Sequence, residues 1–356
     1  MVPLFKKPVF WLGAALPVAI FAVLWRVASR RPRLIAGLDS PALALAVSRD
    51  GSRVVAATQT GGMRVWTSQN DRFRALPFDR TGQLRTRSAG DSVTQLRLLP
   101  DEKTVFAASS RHEGTNGMGR AWSIQNSEIS WAAVPNGKDD FSRFWLSDDG
   151  TRLVQRTWTW IKVFDVTKPS TPRQSQLSRS ARNFSLIRRF DFHNSTTPMP
   201  QEFALSRDNK TVVVLGWSGR LEFWDVKTAK RTFQTPPALP ALPGGGGARS
   251  LSLSPDGRFI ALCDTAGMRL WNTLTSGWQQ VGNYSSNERN IVWASDSRSL
   301  WTGGDTAQQW SAPDLKLLRT VPVSGPVAVS SDGQTLVTRS IPRAGEGSGV
   351  WQWNMS

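Results

Sequence analysis

The chain of 356 residues has one cysteine, Cys263, and two histidines, His112 and His193. A single thiol excludes any internal disulfide, so the redox compartment stays open on this ground. A structural zinc site takes four nitrogen or sulfur ligands, more than these three residues supply. Signatures of catalysis are missing as well: no G-x-S-x-G, H-E-x-x-H, C-x-x-C or G-x-x-x-x-G-K-[ST] run occurs. A catalytic triad needs a base oriented beside a nucleophile, and both histidines fall in expected loops. The reading is a non-enzyme with no metal, no cofactor and no small-molecule substrate. Acidic residues are scarce too, 27 against 44 Lys and Arg, for a net charge of +17. Residues 1–40 carry +5 of it and the remainder +12. A basic body of this kind suits an anionic lipid surface or acidic partner proteins. Nucleic acid ranks below both, and an ordinary solvated face is the plain alternative.

What is present is a repeat. Seven times, a turn built on aspartate is followed by an aromatic that ends a short apolar run, about fifteen residues later in five copies and 21 later in the second and seventh. The turn aspartates are Asp50, Asp101, Asp149, Asp208, Asp256, Asp296 and Asp332. Their aromatic partners are Trp66, Trp122, Phe164, Trp224, Trp271, Trp310 and Trp353. The clearest copy, residues 251–272, reads LSLSPDGRFIALCDTAGMRLWN. Leu251 to Leu253 alternates as a half-buried strand does. Pro255-Asp256-Gly257 then provides a preset φ, a side-chain cap and a permissive glycine for a tight hairpin. Two further strands follow, and a fourth, more variable one closes the unit, as at Arg231-Thr232-Phe233. Cys263 falls in a core strand of the fifth copy, which also excludes a lipid-modified N-terminal cysteine. One four-stranded sheet cannot bury both of its faces. Stacking seven around an axis does so, with the large aromatic filling the space between neighbours. A two-layer sandwich would not require such regular spacing.

The pattern resembles the WD40-type β-propeller family over residues 33–356. The resemblance implies an all-β, seven-bladed propeller that works as a binding platform. The WD dipeptide survives at Trp224-Asp225 alone, and no Gly-His dipeptide occurs, so the family's buried His/Asp/Ser network is not carried over. The seventh copy stops after its third strand, and residues 33–38 (RLIAGL) are expected to complete it as the outer strand. WD40-like propellers close in this interlocked way, which removes a free edge.

A different segment precedes the propeller. Residues 9–27, VFWLGAALPVAIFAVLWRV, hold one charge, Arg26. As a helix they would span about 28 Å, close to the hydrocarbon thickness of a bilayer. Trp11 and Trp25 stand where interfacial rings belong, and Pro17 is tolerated in membrane helices. Lys6 and Lys7 flank one end; Arg26, Arg30, Arg31 and Arg33 flank the other. The expectation is a tail (1–8), an uncleaved transmembrane helix (9–27) and a short linker (28–32), in a bacterial inner membrane. A cleaved signal peptide is the rival, but its apolar core would be shorter and Val27-Ala28-Ser29 is a poor cleavage site. The arginine excess after the helix favours the cytoplasmic side for the propeller; the periplasmic side stays open.

The longest gap between repeats, 168–201, contributes the outer strand of blade three and a basic insertion with Arg173, Arg179, Arg182, Arg188 and Arg189. Long insertions on a rigid scaffold carry contacts, so these arginines are the candidate partner-binding residues. A second basic stretch, 80–87, joins blades one and two, and a Pro-rich, Gly-rich spacer at 236–247 joins blades four and five. Of the 17 tryptophans, those outside the repeat position are mostly packing, with some at outer blade edges where Trp and Arg anchor partners. The functional expectation is a single-pass membrane protein serving as scaffold or accessory subunit of a larger membrane complex (respiratory, photosynthetic, transport or secretory). A membrane-tethered sensor or adaptor recruiting soluble partners, and a periplasmic envelope-assembly factor, are the alternatives.

Overall fold

The computed structural model of the protein describes residues 32–355 apart from 60–61, 71, 77–91, 111–117, 126–128, 134–142, 158, 170–183, 193–199, 217–218, 237–249, 265–266, 282–289, 324 and 340–347. The expected tail and transmembrane helix, with Trp11, Trp25, Arg26, Arg30 and Arg31, lie outside the described residues. Among the described residues no helix is long and apolar enough to cross a membrane.

Each copy of the repeat folds as one sheet. There are seven four-stranded antiparallel sheets, and the first strands of neighbouring sheets lie against one another around a common axis. Blade one runs Ala42–Val47, Arg53–Thr58, Met63–Thr67 and Arg74–Ala75 from the axis outward. Blade seven takes its three inner strands from Val327–Val329, Thr335–Arg339 and Ser348–Asn354, and its outer strand from Arg33–Leu38. Arg33 pairs with Gln352 and Ile35 with Val350. The ring is therefore closed by main-chain hydrogen bonds between segments at opposite ends of the sequence.

The turns explain why the aspartate recurs. In all seven, the residue after the Asp has φ between 50° and 75°: Gly51, Glu102, Gly150, Asn209, Gly257, Ser297 and Gly333. Its N–H donates to the carbonyl three residues back, as in Gly257 to Ser254 at 2.9 Å. The aspartate locks the loop from within. Asp256 accepts from the Ser254 hydroxyl at 2.6 Å and the Arg258 N–H at 3.0 Å, while Ser254 Oγ accepts from the Phe259 N–H at 2.9 Å. The Ser-x-Asp arrangement repeats at Ser48, Ser147, Ser206 and Ser330. Blades two and six have Leu99 and Ala294 at the serine position. There Asp101 accepts from Thr104 and Asp296 from the Arg298 N–H.

The core is divided among the seams. Seven apolar clusters are each shared by two adjacent blades. Every repeat aromatic sits in the seam toward the preceding blade. Trp66 packs with Ile35, Val337 and Val350 of blade seven, and Trp122 with Val55 and Val65 of blade one. Phe164, Trp224, Trp271, Trp310 and Trp353 fill the next five seams in order. Alternation on the third strand puts the aromatic on that face, and its bulk bridges sheets about 10 Å apart.

Candidate interaction surfaces

Antiparallel order sorts the loops onto two faces. Inner-to-second and third-to-outer turns share one face, here the turn face. Second-to-third turns and blade-to-blade connections share the other, the connection face. The seven aspartate turns thus form a ring on the turn face, and several bond across seams. Arg49 N–H donates to Glu102 Oε1 at 3.0 Å, Asp256 N–H to Ser297 Oγ at 3.1 Å, and Ser295 Oγ to the Ser331 carbonyl at 2.5 Å. Nearer the axis, two side-chain amides stitch inner strands together. Gln95 bonds the N–H and carbonyl of Leu146 at 2.7 and 3.2 Å, and Asn290 bonds those of Val327 at 3.2 and 2.7 Å. The ring is thus tied at both radii.

Blade three carries the sequence-predicted basic residues. Its third strand runs long, Trp160–Pro169, and its outer strand is Phe184–Asp191. Arg173, Arg179 and Arg182 lie outside the described residues; the strand ends at Pro169 and Phe184 open on the turn face. Arg188 and Arg189 are consecutive, so their side chains leave opposite faces of the strand. Arg188 reaches across the seam and donates to the Lys227 carbonyl of blade four. Arg189 turns the other way. It pairs with Asp191 at 2.9 Å and lies 5.8 Å from the ring centroid of Trp160, which Lys162 also approaches, at 4.0 Å. The two arginines expected to act together are thus separated, with Arg189 the one left half-exposed on the rim.

A partly buried charged cluster that sequence reading missed lies between blades three and four. Arg143 donates to Glu202 at 2.9 Å, and Arg156 donates to the carbonyls of Pro200, at 2.6 Å, and Gln201. Burial pulls the Arg156 pKa down to about 10 even though Glu202 opposes it. Burial likewise pushes the Glu202 carboxyl up against the pull of both guanidiniums. The guanidinium satisfies carbonyls at the start of an inner strand, so its evident work is to hold the blade-four entrance to the axis. A fully buried carboxylate, Glu222, accepts from Trp224 Nε1, Arg231 and Gln234 at 3.1, 2.9 and 3.2 Å. It ties the third and outer strands of blade four.

Neither histidine lies among the described residues, and no group of three or more His, Cys, Asp or Glu could hold a metal among them. Cys263 is buried and forms no disulfide. A scan against models of protein families returns no match for the chain, and a search of curated proteins returns none. The architecture, an all-β seven-bladed propeller, is consistent with the WD40-type fold and stands on the strand topology itself. As a widely reused fold, it does not specify an activity.

Proposed function

We propose that the chain is a membrane-anchored, non-catalytic propeller that docks on and stabilises a larger membrane protein complex as a scaffold or accessory subunit. One observation carries this reading. Five residues, 28–32, separate the apolar run 9–27 from Arg33, and Arg33 is paired by main chain into the closing blade. A propeller tethered so briefly by a transmembrane helix stays on the bilayer surface, where its partners would be integral proteins and their extramembrane parts. The helix adds lateral packing through Gly13, Ala14 and Ala15. Rim arginines beside aromatic rings, such as Arg189 at Trp160, are the type of group that anchors a protein interface. In this reading the arginine excess after residue 25 keeps the propeller in the cytoplasm.

Native gel migration of the protein from mildly solubilised membranes, with mass spectrometry of the band, tests the assignment. Co-migration with a fixed set of integral subunits is expected. Migration of the protein alone would replace the scaffold by a tethered adaptor. A reporter fused after Ser356 and active only outside the cytoplasm would reverse the topology.

A further inference from the structure

The chain joins the propeller on the turn face. Arg33 pairs with Gln352 and Leu38 with Ser348. Asn354, at the far end of that third strand, pairs with Thr335, which follows the Asp332 turn. Arg33 therefore stands at the turn-face end of the outer rim of blade seven. Taking residues 9–27 as the membrane segment, on which this inference rests, the linker 28–32 reaches about 17 Å fully extended. The outer strand Arg33–Leu38 alone is about 20 Å long. The linker is too short to pass along the blade and turn the connection face toward the lipid.

Independent features mark the same side. Leu274, in the third-to-outer turn of blade five, is 73% exposed. Leu317 and Leu318, 51% and 55% exposed, open the outer strand of blade six at its turn-face end. That strand adjoins the closing blade: Arg319 Nη1 lies 3.6 Å from Met355 Sδ. Lys316 and Arg319 flank the leucine pair, and Arg207, Lys210, Lys227 and Lys230 are exposed on the turn-face side of blade four. The turn aspartates of this face each accept hydrogen bonds within their own turns, and Lys316 also lies 3.9 Å from Asp314. The exposed leucines at the outer rim, with Arg319 and the blade-four cations on the same face, suit a headgroup region, where alkyl chains enter the acyl boundary and ammonium or guanidinium groups meet phosphate.

We propose that the turn face is the membrane-contacting surface of the propeller, with Leu274, Leu317 and Leu318 seated in the headgroup–acyl boundary of an anionic bilayer. The connection face then points to the aqueous phase.

The test uses the full chain with the buried thiol removed (Cys263→Ala), carrying Leu274→Cys, Leu317→Cys or, on the connection face, Asp305→Cys. Each is labelled with an environment-sensitive fluorophore and reconstituted in vesicles of equal parts phosphatidylcholine and phosphatidylglycerol containing a lipid-borne quencher. Labels at 274 and 317 are expected to shift to the blue and lose most of their emission, and the label at 305 to keep its aqueous spectrum. Quenching at 305 without quenching at 274 and 317 overturns the inference. So does a protein that resists carbonate extraction yet shows no quenching at 274 or 317, because the anchor then holds while the face assignment fails. Crosslinking from 274 to an integral protein in native membranes, without lipid quenching in vesicles, would also overturn it in favour of a protein surface. Release of the chain by carbonate would instead overturn the anchoring itself.

Discussion

Asn209 donates its side-chain amide to Asp149 Oδ2 at 2.7 Å, bonding the left-handed residue of blade four to the turn aspartate of blade three. Glu102 and Ser297 do the equivalent for blades two and six, each accepting from a main-chain N–H of the blade before. The odd-numbered blades carry glycine at this position. A side chain there accepts backbone strain of roughly 1 kcal/mol in exchange for a bond across the seam. Asn209→Ala should keep the strain and lose the bond, at a cost of about 1–2 kcal/mol in denaturant unfolding. Asn209→Gly should recover part of that loss. Equal stability of the two variants would refute the strain argument.

Gly257 and Gly51 separate strain from crowding. Both have φ of +74°, but a Cβ at 257 would meet nothing within 4 Å, whereas one at 51 would overlap Thr335 Oγ1 of blade seven. Gly257→Ala is expected to cost about 1 kcal/mol. Gly51→Ala should cost more and loosen the closing seam, which limited proteolysis near blade seven would register.

The seam aromatics should dominate stability. Trp66 is 1% exposed among side chains of two blades, and Trp66→Ala is expected to lower unfolding free energy by about 3–5 kcal/mol. Trp353 differs, because its indole N–H donates to Thr338 Oγ1 at 3.1 Å, as Trp310 does to Thr302 Oγ1 at 3.0 Å. Trp353→Phe preserves most of the apolar filling and should cost about 1–2 kcal/mol, much of it from the stranded hydroxyl. Paired denaturation curves for Trp353→Phe and Thr338→Val would check that the two share one interaction.

Acid should weaken the turn ring. The Asp50 carboxyl is lowered from 3.8 to about 2, first by the Ser52 N–H and then by the Ser48 hydroxyl. The Ser206 hydroxyl pulls Asp208 down in the same direction. At Asp101, Asp149 and Asp256 partial burial pushes upward, and hydrogen bonds from the surrounding turns outweigh it. A folded-state pKa below the unfolded one gives stability that is complete above the unfolded value and lost as pH falls through the folded value. For Asp50 that window runs from 3.8 down to about 2. Exposure screens the effect, so Asp50→Asn should cost no more than about 1 kcal/mol at neutral pH. The difference from the unaltered protein should shrink steeply toward pH 2, where the carboxyl is half protonated, which urea unfolding at both pH values would measure.

The blade count was legible because two signals recur in order, an aspartate that closes a loop and an aromatic that fills a seam, 14 to 16 residues apart in five copies and 21 apart in blades two and seven. Copies that vary the turn chemistry were still readable from the aspartate followed by an apolar run and an aromatic, including Asp101 and Asp296, where Leu99 and Ala294 replace the serine. Contacts that cross between blades were not legible. Arg143 and Glu202 are 59 residues apart, Gln95 and Leu146 51, and neither pair follows any local period. Arg188 and Arg189 read as one patch because adjacency in sequence suggests proximity, whereas pleating sends neighbours to opposite faces. Glu102 and Ser297 occupy a left-handed position that composition assigns to glycine or asparagine, and the bond that supports each comes from a different blade.

The pairing of Arg33 with Gln352 also sets an order of events during synthesis. The outer strand of blade seven leaves the ribosome before any other strand of the propeller, and its partner, Ser348–Asn354, comes last. Until then Leu34 and Ile35 have no sheet to join, and the seam around Trp66 lacks Val337 and Val350. Blades two to six can stack as they emerge, but the ring remains an open arc with two unsatisfied edges until Ser348–Asn354 has been made. A ribosome stalled before residue 348 would therefore hold an adhesive, unclosed chain, and the strand Ser348–Asn354 decides whether it becomes a closed ring or a substrate for aggregation.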